Sequence, residues 1–341
     1  MRNIDPLGGP HMHMADALVA PAVAGTMYLC SAGAATYSVK KVRDMADPKK
    51  IPVMGIMGAF VFATQMINFT IPGTGSSGHL CGGMLLTGLL GPCGAFLTMI
   101  SVLLIQCLLF ADGGLLALGC NVCNMAFYGC FIGALIWRLF MKGGMTRGKI
   151  IAASIVGSVV TLQMGAFSVV IETLASGITE LPFTAFLLAM QPIHLAIGTV
   201  EGLITAAVLS FVYSARPELL YCSDTSASEN RLSVGKTLAI IGVCAALIGG
   251  GLSLFASSYP DGLEWSVERI TGSTELDAEG SIYEAAGSVQ ETTSLLPDYA
   301  FKGSESAAGT SFSGIVGGAI VALVCIGGCT AFRFYKKAQT A

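Results

Sequence analysis

Apolar stretches of about 20 residues recur along this chain, and they restrict its fold more than any other feature. A helix needs roughly 20 apolar residues to cross a bilayer, so each stretch is a candidate membrane span. Hydrophobic residues make up 53% of the sequence and charged residues 11%, against roughly 25% charged residues in an average soluble domain. The sequence therefore predicts an all-α integral membrane protein in a lipid bilayer. Its formal net charge of -3 argues against a nucleic-acid partner.

Basic residues lie beside the ends of the apolar stretches, and they predict the topology. Fifteen of the 18 Lys and Arg residues fall in short segments that the positive-inside rule assigns to the cytoplasm. One of these segments, residues 216–236, is a predicted cytoplasmic linker. The pattern predicts nine crossings, with the N-terminus outside and the C-terminus in the cytoplasm.

A polar segment from Ser258 to Phe312 separates the last two predicted crossings on the outer side. It contains ten acidic residues and two basic ones, and serine, glycine and threonine dominate its middle. This composition predicts that Gly272 to Ser311 is largely disordered. The segment is expected to be a solvated loop that need not bind metal.

A glycine-rich break separates two apolar stretches early in the chain. Residues Asn68 to Gly83 read NFTIPGTGSSGHLCGG and include His79, and Ser76 or Ser77 is expected to begin the next helix. The following apolar stretch is too short to span alone and stops at Gly91-Pro92. Interrupted membrane segments of this kind often lie beside a binding site.

Two of the four histidines lie where the predicted topology places the outer surface. His13 precedes the first apolar stretch, and His79 follows the glycine-rich break. Residues 1–11 are predicted to be a leader or an alternative start, with Met12 as the first residue. The Met12 amine, the His13 amide nitrogen and the His13 Nδ1 would then form a planar nitrogen site of the kind that Ni(II) and Cu(II) favour, with His79 as fourth ligand.

The alternative for these histidines is an ordinary hydrogen-bonded role at the membrane interface. If residues 1–11 are retained, the Met12 nitrogen is an amide and the site is impaired. His194 and Glu201, seven residues apart, share a helix face. They are either an intramembrane functional pair, as in an enzyme, or a polar clamp between helices that supports the fold.

Two further patterns carry no chemistry in this interpretation. Cys120 and Cys123 have CxxC spacing, but a second ligand pair at a similar interval is missing from the sequence, so a structural role is expected. Two near matches to a phosphate-binding loop, GGMTRGKI and NRLSVGKT, each lack a defining residue and a preceding buried strand. Any ATP-driven step must therefore come from another chain.

Several long motifs resemble one family. HMADAL near the start, the NFTIPGTGSSGHLCGG stretch, the run from Leu89 to Met125 and HLAIGTVEGLIT from His194 resemble the CbiM/NikM family of cobalt and nickel uptake proteins. FASSYPDGLEW from Phe255 to Trp265 resembles the small CbiN/NikN partner, fused here to the same chain. The resemblance places the first unit at residues 12–215 and the second, a PDGLE domain, at residues 237–335.

The resemblance implies a seven-helix metal-binding unit followed by two membrane helices with an extracytoplasmic loop. It implies a substrate-capture subunit of an ATP-driven energy-coupling-factor importer in a prokaryotic cell membrane. Nickel or cobalt would be held by Met12, His13 and His79, with nickel slightly preferred because the two units are fused. A membrane coupling subunit and ABC-type ATPase subunits would be the partners, no cofactor is implied, and the PDGLE loop would help metal loading. The competing predictions are an intramembrane enzyme built on His194 and Glu201, and a passive channel.

Overall fold

The computed structural model describes residues 13–44, 50–223, 232–274, 276–304 and 306–340, without the side chains of residues 44, 307, 329 and 331–340. The predicted leader, Met12 and the middle of the predicted linker lie outside these ranges. Helices dominate the described residues, and their one sheet is a two-stranded hairpin of β1 (Phe69–Ile71) and β2 (Ser76–Gly78). The helices are α1 (Pro21–Asp44), α2 (Lys50–Gln65), α3 (Gly83–Phe110), α4 (Leu118–Met141), α5 (Arg147–Ser176), α6 (Phe183–Ala215), α7 (Val234–Gly250), α8 (Gly262–Thr271), α9 (Ser281–Thr293) and α10 (Ala307–Thr340).

The helix lengths confirm the all-α membrane class. Five helices in the described part of the chain are long and apolar enough to span a bilayer, namely α3 to α6 and residues Ala308–Gly328 of α10. Helices α2 and α7 are apolar but shorter. The count of nine crossings and the orientation of the termini stay predictions.

Helix α3 begins later than expected. Ser76 and Ser77 do not start a helix, because they form β2 and bond to the C-terminal unit. The Ser77 N–H donates to the Pro260 carbonyl at 2.8 Å, and its hydroxyl donates to the Tyr259 carbonyl at 2.8 Å. The prediction for these serines was wrong because a distant segment supplies their hydrogen-bond partners. The helix begins instead at Gly83, after the histidine loop.

The predicted stop at Gly91-Pro92 is a sharp break in α3. Gly91 has a φ of 71°, outside the helical range. Pro92 has no N–H, which leaves the Gly88 carbonyl without its helical partner, and the Tyr221 N–H donates to that carbonyl at 2.8 Å. A straight helix of 28 residues would be about 42 Å long. Both ends of α3 nevertheless lie beside the histidines described below, so the chain reverses at Gly91.

Small residues let the C-terminal helices pack closely against the first unit. A Cβ at Gly58 of α2 would lie 2.9 Å from Val321 of α10, and a Cβ at Gly314 would lie 2.1 Å from the Gly249 carbonyl oxygen of α7. Without a hydrophobic driving force between helices in lipid, close backbone approach is a main source of association. The two units are therefore packed together along α2, α7 and α10.

The polar segment from Ser258 to Phe312 is more ordered than its composition predicts. Helix α9 lies within the stretch expected to be disordered, and Tyr299 is only 7% exposed. The Tyr299 ring stacks on Phe110 with centroids 4.8 Å apart, and the Leu295 and Leu296 N–H groups donate to the Leu109 carbonyl at 3.0 and 3.1 Å. These contacts supply the packing that the local sequence lacks.

Candidate metal site

The structure brings His13 and His79 together. Their ring centroids lie 5.8 Å apart, and both side chains are largely buried. They share a cavity of about 90 Å³ whose walls include Asn121, His194 and Asp261. The two histidines that sequence analysis selected, 66 residues apart in the chain, therefore meet at one place. Met12, the third predicted ligand, lies outside the described residues.

Asn121 holds the segment that carries His13. Its Oδ1 accepts the Met14 N–H at 3.0 Å, and its Nδ2 donates to the Met14 carbonyl at 3.1 Å. The same carbonyl accepts the Gly114 N–H at 3.0 Å. The backbone at Met14 is thus fixed on both sides by α4 and by the turn before it, which sets the position of the neighbouring histidine.

Two glycines after Asp112 make room for this segment. A Cβ at Gly113 would lie 2.6 Å from the His13 Cβ, and a Cβ at Gly114 would lie 1.9 Å from Asp16 Oδ1. Asp16 Oδ1 in turn accepts the Ala117 N–H at 2.8 Å. Burial raises the pKa of Asp16 above its ordinary value, while the N–H of Ala117 opposes the rise. The Asp-Gly-Gly motif therefore leaves the space that the N-terminal segment occupies.

Each histidine faces a buried carboxylate. His13 Nδ1 lies 2.8 Å from Asp112 Oδ1, and His79 Nε2 lies 3.8 Å from Asp261 Oδ2. His13 Nε2 is buried and has no hydrogen-bond partner among the described residues. Burial lowers the pKa of His79, but the adjacent Asp261 carboxylate outweighs it and raises the pKa to about 9. A proton and a metal ion would therefore compete for this ring.

The loop after His79 is fixed by Glu201. Its two carboxylate oxygens accept the N–H groups of Cys81 at 2.8 Å and Gly82 at 3.1 Å. Because Glu201 is 1% exposed, both oxygens are committed to this backbone. Of the two alternatives for Glu201, this geometry favours the polar clamp that supports the fold.

His194 has a different role from Glu201. Its Nδ1 lies 2.8 Å from the Met190 carbonyl one turn earlier on α6, and its ring lines the cavity. A Cβ at Gly262 would lie 3.1 Å from the His194 Cε1, so α8 of the C-terminal unit begins directly against it. His194 and Glu201 therefore contact different groups and do not act as a pair.

The C-terminal unit supplies Asp261 and donates a hydrogen bond to Asp112. Asp261 caps α8 by accepting the N–H groups of Leu263 and Glu264, both at 2.8 Å. The Tyr299 hydroxyl donates to Asp112 Oδ2 at 2.5 Å, and Gln290 Nε2 donates to the Gly113 carbonyl at 2.8 Å. The polar segment from Ser258 to Phe312 thus holds the turn whose aspartate contacts His13.

Sequence reasoning missed four of these positioning residues: Asp112, Asn121, Asp261 and Tyr299. Asp112 and Asp261 stand in short glycine-containing motifs, ADGG and PDGLE, which carried a signal for a turn. Asn121 and Tyr299 carried no such signal, because their roles depend on which distant segments meet.

Side chains alone do not complete a metal centre here. No group of three or more His, Cys, Asp or Glu side chains in the described part of the chain is placed to hold a metal ion. Cys120 and Cys123 are both free thiols. Ligands beyond the two imidazoles must therefore come from the main chain, from solvent or from outside the described ranges.

The chain matches two family models. The cobalt uptake substrate-specific transmembrane region, CbiM, matches residues 13–219. The chain belongs to the CbiM family. A PDGLE domain matches residues 235–333, so the resemblance to a fused protein of these two parts is confirmed.

Relatives of this family member are metal transport proteins. It is 35% identical to the putative fused nickel transport protein NikMN of Archaeoglobus fulgidus, over 91% of this chain and 95% of the relative. It is 32% identical to the cobalt transport protein CbiM of Sorangium cellulosum, over 50% of this chain and 76% of the relative. A crystal structure of a truncated transition metal transporter matches with a TM-score of 0.53 and 32% identity, covering 59% of this chain and 98% of that one. The chain is thus a multi-pass membrane component of metal transport and not an enzyme.

Proposed function

We propose that this chain is the substrate-capture subunit of an ATP-driven importer and binds nickel or cobalt ions on the outer face of the membrane. The observation that carries the proposal is the meeting of His13 and His79 in one small cavity. Buried charges are costly unless they are paired. Asp112 and Asp261, 3% and 5% exposed, therefore favour a cation between the two rings.

The proposed ligands limit the cargo. An ion held between the two rings exchanges water for protein ligands. The Met12 amine, the His13 amide nitrogen, the His13 ring and His79 would supply four nitrogens, a set that suits Ni(II). The His13 ring must turn for Nδ1 to leave Asp112 and face the ion.

The predicted topology supports the remaining parts of the proposal. It places both histidines outside and the basic helix ends in the cytoplasm of a prokaryotic cell. A membrane coupling subunit and ABC-type ATPase subunits would supply the energy. Fused relatives named as nickel transport proteins, including LarMN of Lactiplantibacillus plantarum at 32% identity over 76% of this chain and 79% of the relative, favour nickel over cobalt.

The Met12 amine is tested by changing the start of the chain. A protein that begins at Met12 should bind Ni(II) with one ion per chain, and a protein that retains residues 1–11 should bind at least about 10-fold more weakly, because an amide replaces the amine. Intact-mass determination of each N-terminus, paired with calorimetric titration, measures this. Equal affinity in the two proteins would remove Met12 from the ligand set.

The C-terminal unit acts, in this proposal, through the carboxylates that face the histidines. Tyr299→Phe should weaken Ni(II) binding about 10-fold, since outer partners of metal ligands typically contribute 10- to 100-fold to affinity. The ring and its stacking on Phe110 remain, so the melting temperature should change little. Tyr259→Phe is the matched control, because its half-exposed side chain makes no contact with the cavity. A Tyr299→Phe protein with wild-type affinity and dissociation rate would contradict this role.

A further inference from the structure

A second and much larger cavity lies at the break in α3, away from the histidines. Its volume is about 660 Å³, within the range of roughly 300–1,000 Å³ typical of ligand pockets. It opens between the end of α1, the start of α2, the break at Gly91, the last turn of α4 and the middle of α10. Because both ends of α3 lie at the metal site and Gly91 lies at the reversal, the two cavities are separate.

The rim of this cavity is basic. Lys41, Arg43, Lys50 and Arg138 line it, and no acidic side chain is among its described lining residues. These cations come from α1, α2 and α4, three different helices that the fold brings to one rim. Such a cluster favours an anionic ligand.

Two of the cations are already positioned by aromatic rings. Arg138 Nε donates to the Tyr221 hydroxyl at 2.8 Å, and the guanidinium carbon lies 5.3 Å from the centre of that ring. The Lys41 ammonium lies 5.9 Å from the centre of the Tyr37 ring. A guanidinium has five N–H donors, so Arg138 keeps donors for a ligand after bonding Tyr221. The conformational cost of binding an anion here is therefore reduced.

Much of the remaining cavity lining is apolar. Leu97 and Ile100 of α3 are half-buried, and Val324 of α10 is 43% exposed. A free phosphate ion would gain nothing from these walls, whereas acyl chains would cover them. The charge pattern predicts that this end faces the cytoplasm, and the cytoplasmic leaflet carries the anionic lipids that basic pockets between membrane helices bind. We propose that this cavity is a binding site for an anionic phospholipid, with its phosphate at the basic rim and its acyl chains against α3 and α10.

The test compares lipids and charge variants of the full-length chain. Delipidated protein in detergent is titrated with phosphatidylglycerol or phosphatidylcholine of identical acyl chains, and native mass spectrometry counts bound lipid. The wild type should bind phosphatidylglycerol about 10-fold more tightly. Lys41→Gln/Lys50→Gln/Arg138→Gln should reduce that preference to less than about threefold.

A matched variant removes the same charge elsewhere on the same side. Lys142, Arg147 and Lys236 are exposed and lie outside the cavity lining, so Lys142→Gln/Arg147→Gln/Lys236→Gln should keep the preference. Ser101→Phe, which adds a large side chain to the cavity lining and leaves every charge in place, should weaken both lipids. The proposal is overturned if the wild type binds the two lipids equally, or if the two triple variants behave alike. It is also overturned if glycerol phosphate or an acidic peptide displaces the lipid at equal concentration, because the ligand would then be a free anion or a protein segment.

Discussion

Replacing His79 by alanine should lower Ni(II) affinity at least about 100-fold, and replacing His13 and His79 together should abolish saturable binding. The reason is that each ring is one of the two imidazoles in the proposed ligand set. The third imidazole in the cavity lining, His194, has its Nδ1 2.8 Å from the Met190 carbonyl and is not part of that set. Loss of an outer partner alone typically costs 10- to 100-fold in metal affinity, so loss of an inner ligand should cost more. Each factor of 100 corresponds to about 2.7 kcal/mol of binding free energy.

Calorimetric titration of detergent-solubilised protein measures affinity and stoichiometry, and circular dichroism shows whether each variant is folded. Thr199→Ala is a suitable control, because its exposed hydroxyl on α6 bonds only within its own helix, to the Leu195 carbonyl. Unchanged nickel binding in a folded double variant would disprove the proposed ligand set. Folded variants that lose nickel but still bind lipid would separate the metal site from the cavity at Gly91.

The fold class and the choice of His13 and His79 could be predicted from the sequence because neither requires knowing which distant segments meet. Apolar stretches, basic helix ends and the stop at Gly91-Pro92 depend on composition and on single residues. His13 and His79 are two of only four histidines, each at the start of an apolar stretch. Residues of these rare types at such places are few enough to select without a structure.

The roles of the two carboxylates and the order of the polar segment from Ser258 to Phe312 could not be predicted, because they depend on contacts between distant parts of the chain. Asp112 lies 99 residues from His13, and Asp261 lies 182 residues from His79. The composition of this polar segment predicts disorder because its own residues bury little apolar surface. The segment is ordered by Tyr299, which stacks on α3, and by Gln290, which bonds the Asp112 turn. The same long-range contacts explain why Ser76 and Ser77 join a hairpin instead of a helix.

Gly114→Ala should disrupt the site without touching any ligand. The new Cβ would lie 1.9 Å from Asp16 Oδ1 and 2.4 Å from the Asp16 backbone nitrogen. Rotation of the Asp16 side chain relieves the first clash but not the second, so the segment that carries His13 must move. We expect Ni(II) affinity to fall at least about 100-fold, because a displaced ring no longer shares the ion with His79.

The matched control for this substitution is Gly148→Ala. Gly148 lies in α5 with nothing within 4 Å of a new Cβ, so alanine there should leave nickel binding unchanged and stabilise the helix by at most about 1 kcal/mol. The melting temperature of Gly114→Ala should fall by only a few degrees, since the helices that span the membrane do not depend on this turn. Wild-type affinity in Gly114→Ala would show that nickel binding does not depend on the close approach of Asp16 to Gly114. In that case the metal would be held without His13 in the position that the structure assigns to it.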